Sequence, residues 1–166
     1  MDVLIALGSN MAAEEMMPAA VAALGRIEGL CVVAVSPFYR TAPLDREGQV
    51  GDQPAFLNAA LRAETTLAPT ALREALRQVE ASLGRVRTAD KFAPRLIDLD
   101  LVMVGDATLT VAGKPLPEPE IGRFAHLAVP LAAVAPAWKL PDGRTLAEVA
   151  RSFAPLASLP PPEAGI

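Results

Sequence analysis

Two aspartates, Asp98 and Asp100, stand two residues apart within the apolar run Leu96-Ile97-Asp98-Leu99-Asp100-Leu101-Val102-Met103-Val104. Such a run reads as a central strand, where residues i and i+2 share a face roughly 6.5 to 7 Å apart. Two carboxylates so placed repel one another and lose hydration, which is unfavourable unless a cation compensates. The spacing suits two hard cations clamping a polyphosphate. The plainer alternative is a strand end with solvated acids. Just upstream, the segment from Arg85 to Arg95 carries Arg85, Arg87, Lys91 and Arg95 against one acid, Asp90. Guanidinium groups match phosphate oxygens bidentately, so cations beside a carboxylate pair point to phosphoryl chemistry. Taken alone the segment would read as a solvated loop; its neighbourhood favours phosphate. The chain has neither a glycine-rich phosphate loop nor a dinucleotide fingerprint. A nucleotide would therefore be held by carboxylates, metal and arginines.

A second constellation lies in Phe56 to Thr65. Its alternation turns Leu57, Ala59, Leu61 and Ala63 one way and Phe56, Asn58, Arg62 and Glu64 the other. An aromatic ring beside an amide can stack and hydrogen-bond a flat heterocycle, although taken alone such a pair is more often ordinary packing. Cys31, in Leu30-Cys31-Val32-Val33, reads as a core residue, and His126, in an apolar segment, as a satisfied structural histidine.

The elements that must position these residues follow from periodicity. Val3 to Leu7 reads as a strand ended by the turn Gly8-Ser9-Asn10, about Ala12 to Arg26 as a helix with Pro18 inside it, and Leu30 to Ser36 as a second strand. Thr41 to Pro54 is aperiodic and reads as a long functional loop. Pro69 opens a helix whose Leu72, Ala75, Leu76, Val79 and Leu83 form one stripe and which Gly84 ends. Beyond Gly105 the chain is proline-rich, with short helices expected near Ala128 to Val134 and Thr145 to Phe153, and the tail 154–166 is expected to fray. The order strand, helix, strand, strand, helix, strand predicts an α+β, ferredoxin-like sandwich. That fold has an antiparallel sheet with helices on one face and leaves the other face free for a site.

Composition narrows the function. The 166 residues suit one domain, and 15 basic against 19 acidic residues give a net charge of −4, which argues against a general nucleic-acid binder. Apolar stretches are short and broken by proline, so no membrane span is expected, and Asp2 stands where a signal peptide would be basic. One cysteine excludes an internal disulfide framework and favours a reducing, cytoplasmic setting. One cysteine and one histidine leave no structural zinc site. A compact monomer is the default expectation.

Taken together, these segments resemble the 6-hydroxymethyl-7,8-dihydropterin pyrophosphokinase family. The specific part is Lys91-Phe92-Ala93-Pro94-Arg95-Leu96-Ile97-Asp98-Leu99-Asp100-Leu101-Val102. It is joined by Ala6-Leu7-Gly8-Ser9-Asn10, Phe38-Tyr39-Arg40-Thr41, Asp52-Gln53-Pro54 with Phe56-Leu57-Asn58, Gly84-Arg85-Val86-Arg87 and Pro141-Asp142-Gly143. The resemblance implies transfer of pyrophosphate from ATP to a pterin hydroxymethyl group in folate biosynthesis, with release of AMP. It implies that Asp98 and Asp100 hold two Mg²⁺ ions and that Arg85 and Arg95 act in transfer. Glu80, Arg87, Lys91 and Leu101 would contact ATP. Thr41, Pro43, Leu44, Phe56, Asn58, Phe92 and His126 would surround the pterin.

The departures concentrate between Gly113 and His126. Glu118 stands where the family carries a nucleotide-binding histidine, and His126 where it carries an aromatic. Gly113 and Pro115 replace basic and hydroxyl residues, Arg77 replaces a glutamine, and Phe92 a tryptophan. The alternative they raise is a relative that binds a pterin-like ring without the transfer, or with an altered one.

Overall fold

The structure, a computed structural model, describes residues 1–43, 47, 49–89 and 94–160. Strand β1 (Asp2–Ser9) lies inside an antiparallel sheet between β5 (Asp98–Val104) and β4 (Phe56–Thr65). On its other side β4 carries two short strands end to end. These are β2 (Leu30–Val35), opposite residues 61–65, and β3 (Phe38–Thr41), opposite residues 56–58. Their junction is Ser36, which takes the Ala60 N–H on its hydroxyl while its own N–H donates to the Ala60 carbonyl. Helix α1 (Ala13–Leu24) and helix α2 (Pro69–Ser82) are the crossovers expected from the element order.

These two helices share one face. Met17, Ala20 and Leu24 of α1 and Leu72 and Leu76 of α2 pack on Val3, Ile5, Leu7, Leu57, Ala59, Leu61, Ala63, Leu99 and Leu101. The alternation read in β4 is therefore real: its odd-numbered residues 57 to 63 are the ones this core takes.

The other face is only partly free, which corrects the expectation of helices on one face alone. After β5 the chain forms a hairpin, β6 (Leu109–Val111) and β7 (Lys114–Leu116), then a 3-10 turn at Pro119–Gly122 and helices α3 (Ala125–Val134) and α4 (Leu146–Arg151). Ile121, Ala128, Leu131, Val134, Leu146 and Val149 close on Leu4, Ala60, Val102 and Met103, making a second core. A register shift allows this. Leu101 opposes Ile5 but Met103 opposes Leu4, so neighbouring Val102 and Met103 both reach the second core. α3 is apolar nearly all round because it is packed on several sides, and periodicity alone does not reveal which sheet face it takes.

Three further expectations change. β5 is an edge strand, not a central one. Cys31 is exposed on β2, because Leu30 and Val32 take the inward positions. In the tail, Ser158–Leu159 forms β8 against Phe38 and Tyr39, and Arg40 donates its N–H to the Ala157 carbonyl. The unpaired edge of β3 offers backbone groups that this segment satisfies. Among the described residues no helix is long and apolar enough to cross a membrane.

Leu131 is fully buried at the centre of the second core. Leu131→Ala is expected to lower unfolding free energy by about 2–5 kcal/mol, read by urea denaturation. A loss under about 1 kcal/mol would mean that α3 does not form a core with the sheet.

Candidate active site

The register brings one row of residues together across three strands. Gly8 of β1 opposes Asn58 of β4 on one side and Asp98 of β5 on the other. Two strand spacings separate Asn58 from Asp98, roughly 9.5 Å. Between them Gly8 contributes no side chain. A Cβ there would lie 3.1 Å from Asn58 Oδ1, so the glycine leaves the floor of the row open. The row lies on the same sheet face as α3, beyond the part that the second core covers.

At one end of the row, Asn58 is buried and its Nδ2 donates to Thr41 Oγ1 at 2.6 Å. Phe56, two residues before it on the same face, lies under the Arg95 guanidinium at 5.9 Å from ring centre. On α3, His126 stacks on Phe124 with ring centres 5.4 Å apart. Burial holds the His126 imidazole below its ordinary pKa; Glu120 opposes that shift and Arg95 adds to it. Neutral His126 presents a flat ring without charge near neutral pH. Pro43 is buried beside the first long loop and its carbonyl accepts the Gly51 N–H at 2.9 Å. Leu44 lies outside the described residues.

At the other end, Asp98 and Asp100 share a face, as the spacing predicts, opposite Gly8 and Ala6. Asp98 is ion-paired on both oxygens. Oδ1 accepts from Arg85, and Oδ2 accepts from Arg95 at 2.5 Å. Burial raises the Asp98 carboxyl, but the two guanidinium groups more than reverse this and hold it below the usual carboxylate range. Asp100 is more open and meets the Lys114 Nζ at 3.5 Å. Among the described residues no group of three or more His, Cys, Asp or Glu gathers as a protein-only metal cage.

Glu80, expected at the nucleotide, is instead almost wholly inside the protein, 1% exposed. Its Oε1 accepts the Leu99 N–H at 2.7 Å and an Arg85 N–H at 2.5 Å, and Oε2 accepts from Arg87 at 2.6 Å. Burial pushes its pKa up against these donors. Because β5 is an edge strand, the Leu99 N–H has no strand to bond outward, and the glutamate supplies the missing acceptor. Leu101, also expected at the nucleotide, lies on β5. Its side chain is buried in the first core, which leaves only its backbone for a ligand. Lys91 and Phe92 lie outside the described residues.

Glu118 does not join the aspartates as described. It starts the 3-10 turn, its carboxylate 3.5 Å from the Glu120 N–H, while its own N–H closes the β5 edge at the Val102 carbonyl, 2.9 Å away. Asn10 is a site residue that sequence reasoning passed over as a turn. It is buried, accepts the Arg95 N–H at 2.9 Å, and donates to Gln53 Oε1 at 2.9 Å and the Pro54 carbonyl at 3.4 Å. One amide therefore ties the end of β1 to Arg95 and to the loop before β4. The partners are 43 and 85 residues away, so nothing local signals the role.

A sequence model of 7,8-dihydro-6-hydroxymethylpterin-pyrophosphokinase matches residues 4–136. The chain belongs to that family. Relatives within the pyrophosphokinase family include the 2-amino-4-hydroxy-6-hydroxymethyldihydropteridine pyrophosphokinase of Pseudomonas aeruginosa. It is 39% identical over 148 residues, covering 89% of this chain and 88% of the relative. The Haemophilus influenzae protein of the same name is 31% identical, covering 90% and 91%. Among solved structures, a Plasmodium falciparum HPPK-DHPS chain superposes with a TM-score of 0.69 at 12% identity, covering 91% of this chain. This chain spans 43% of that longer protein, and the likeness supports the shared fold.

The depressed Asp98 pKa carries a sign. Its ionised form stabilises the fold above the unfolded value of about 4, and that contribution disappears as pH falls through the lower folded value. Asp98→Asn is therefore expected to be less stable than the unaltered chain near pH 7, with the gap narrowing as pH falls below the ordinary carboxylate range. Urea unfolding across that range measures it. A gap constant with pH would contradict the two ion pairs.

Proposed function

We propose that this chain transfers pyrophosphate from ATP to the hydroxymethyl group of 6-hydroxymethyl-7,8-dihydropterin, releasing AMP, as a step in folate biosynthesis. The observation that carries the reading is the Asn58–Gly8–Asp98 row. A polar reader and an anionic metal-type ligand stand a heterocycle's width apart over a floor without a side chain. Relatives named for this activity, aligned over most of the chain, support it.

In this reading the pterin lies between Phe56 and His126, with Asn58 reading its polar edge from an orientation fixed by Thr41. Pro43 adds to that enclosure, and the family resemblance assigns Leu44 and Phe92 to the same ligand. Arg85 and Arg95 act at the transferring group. Arg85 is locked between Glu80 and Asp98, and Arg95 between Asp98 and the Phe56 ring, so both cations are positioned before any ligand arrives. Arg87 and Lys91 meet the nucleotide, and Glu80 acts through the arginines it holds. The pterin hydroxyl oxygen attacks the β-phosphorus in line, and its proton passes to solvent. The new O–P bond forms as the bond to the oxygen bridging the α- and β-phosphorus breaks, and AMP leaves.

Asp98 and Asp100 fit magnesium. They are hard oxygen donors on one face, and two carboxylates are the usual protein share of a Mg²⁺ site completed by water and substrate phosphates. When bound, two such ions would neutralise charge along the phosphates. A monomer working in the cytoplasm is the form we propose. No described feature favours a pterin binder that lacks the transfer, and Glu118, as described, caps a turn.

Incubation with ATP, Mg²⁺ and the hydroxymethyl pterin is expected to release AMP and form the pterin pyrophosphate, and pterin binding without AMP would sink the proposal. Gly8→Ala crowds the Asn58 amide and is expected to raise the pterin KM by about tenfold while leaving the ATP KM nearly unchanged. Equal changes in both constants would count against the row as the pterin floor.

A further inference from the structure

Strand β8 (Ser158–Leu159) lies against β3, with Phe38 opposite Leu159 and Tyr39 opposite Ser158. Arg40 donates its N–H to the Ala157 carbonyl at 2.8 Å. Arg40 is the residue before Thr41, whose Oγ1 accepts from the Asn58 amide at 2.6 Å. β3 is therefore bonded to β4 on one edge and to the tail on the other, just where it delivers Thr41. Other anchors of β3 are uneven along its length. Phe38, at the start of the strand, is buried in the first core. Arg40 meets Glu14 across 3.4 Å with both side chains exposed, a pair that contributes little. Past Thr41 the chain leaves the strand for the loop before β4. The sequence also prepares the tail to lie extended. Pro155 precedes β8 and Pro160 follows it. Each proline fixes its own φ, so less freedom is lost when the segment docks. Upstream, Phe153 packs against the second core and anchors the near end of the tail.

We propose that Ala157, Ser158 and Leu159 form a positioning strap for the pterin end of the Asn58–Gly8–Asp98 row. By bonding the outer edge of β3 they hold Thr41, and through Thr41 they hold the Asn58 amide. Thr41 stands opposite Phe56, and Asn58 opposite Tyr39, so Thr41 and Asn58 are diagonal partners. A diagonal bond depends on the register and twist of β3 more than a direct pair does. An asparagine amide released from such a bond turns freely about its last torsion and presents a donor where an acceptor stood. The phosphate end is remote from the strap, because β3, β4 and β1 separate β8 from β5. The effect therefore falls on the heterocycle and not on the nucleotide. The identity of that heterocycle rests on the pyrophosphokinase reading; the hold on Thr41 and Asn58 does not.

The test compares the unaltered chain with two variants, a chain ended after Leu156 and Leu159→Pro, which puts a residue without an N–H into β8. The point substitution keeps the test open where the shortened chain fails to fold. In both, hydrogen exchange of the Arg40 amide is expected to quicken by about tenfold, and the Asn58 side-chain amide signals to move in the NMR spectrum. The pterin KM is expected to rise about fivefold, with kcat and the ATP KM within about twofold of the unaltered chain. A tail that merely shields the β3 edge would free the Arg40 amide yet leave the Asn58 signals and the pterin KM in place, and that outcome overturns the strap. Unchanged Arg40 exchange, or an equal rise in both KM values, overturns it as well. Absence of AMP release from the unaltered chain removes the pyrophosphokinase reading, and the Asn58 signals then decide the strap without it.

Discussion

Glu80 is taken almost wholly out of water, and the site end of β5 depends on how its charge is answered. An unpaired buried carboxylate would take up a proton or expel the helix end that carries it. Here the answer is threefold: the Leu99 N–H, Arg85 and Arg87. The first of these closes the free edge of β5, and the second passes the constraint to Asp98. Arg95 binds the other oxygen of Asp98 and stands over Phe56. A single chain of charge-assisted contacts thus runs from the end of α2 across β5 to the aromatic floor of β4. Each member restricts the next, so the arginines hold their positions without a ligand to organise them.

The second sheet face is divided between packing and chemistry, and the division follows the sheet's own length. Leu4, Ala60 and Met103 lie at one end and are buried by α3 and α4. Gly8, Asn58 and Asp98 lie at the other, in the same strands a few residues along. A rigid core therefore adjoins the site on the same elements, which fixes polar groups more closely than loops can. α3 serves both ends, because Ala128 and Leu131 pack while His126, one half-turn earlier, faces toward Arg95 and Phe124.

The parts of this arrangement that local chemistry encodes were legible in the sequence. Leu57, Ala59, Leu61 and Ala63 announce a strand and the face it buries. Pro69 and Gly84 bracket α2, and the two-residue spacing of Asp98 and Asp100 places them together. Long-range consequences were not legible. β5 becomes an edge only through the order in which strands associate, so the need for Glu80 at Leu99 has no local sign. Cys31 looks like core because its neighbours are apolar, yet strand alternation puts it outside. α3 is too uniformly apolar for a moment to reveal its face, and Ser158–Leu159 becomes a strand only because β3 leaves an edge for it.

Gly8 shows how a backbone constraint becomes a specificity device. Glycine weakens a strand interior, since it adds no packing and loses more conformational freedom than other residues. Its neighbours in the row are both polar and both held: Asn58 by Thr41, and Asp98 by two arginines. Any side chain at position 8 would touch the Asn58 amide first, at 3.1 Å, and would break the alignment of a group able both to donate and to accept at that end. The cost of the glycine is borne by β1 in the middle of the sheet, where β4 and β5 bond it on both sides and hold its conformation regardless. A strand bonded on both sides can thus carry an empty position, and the row opens there.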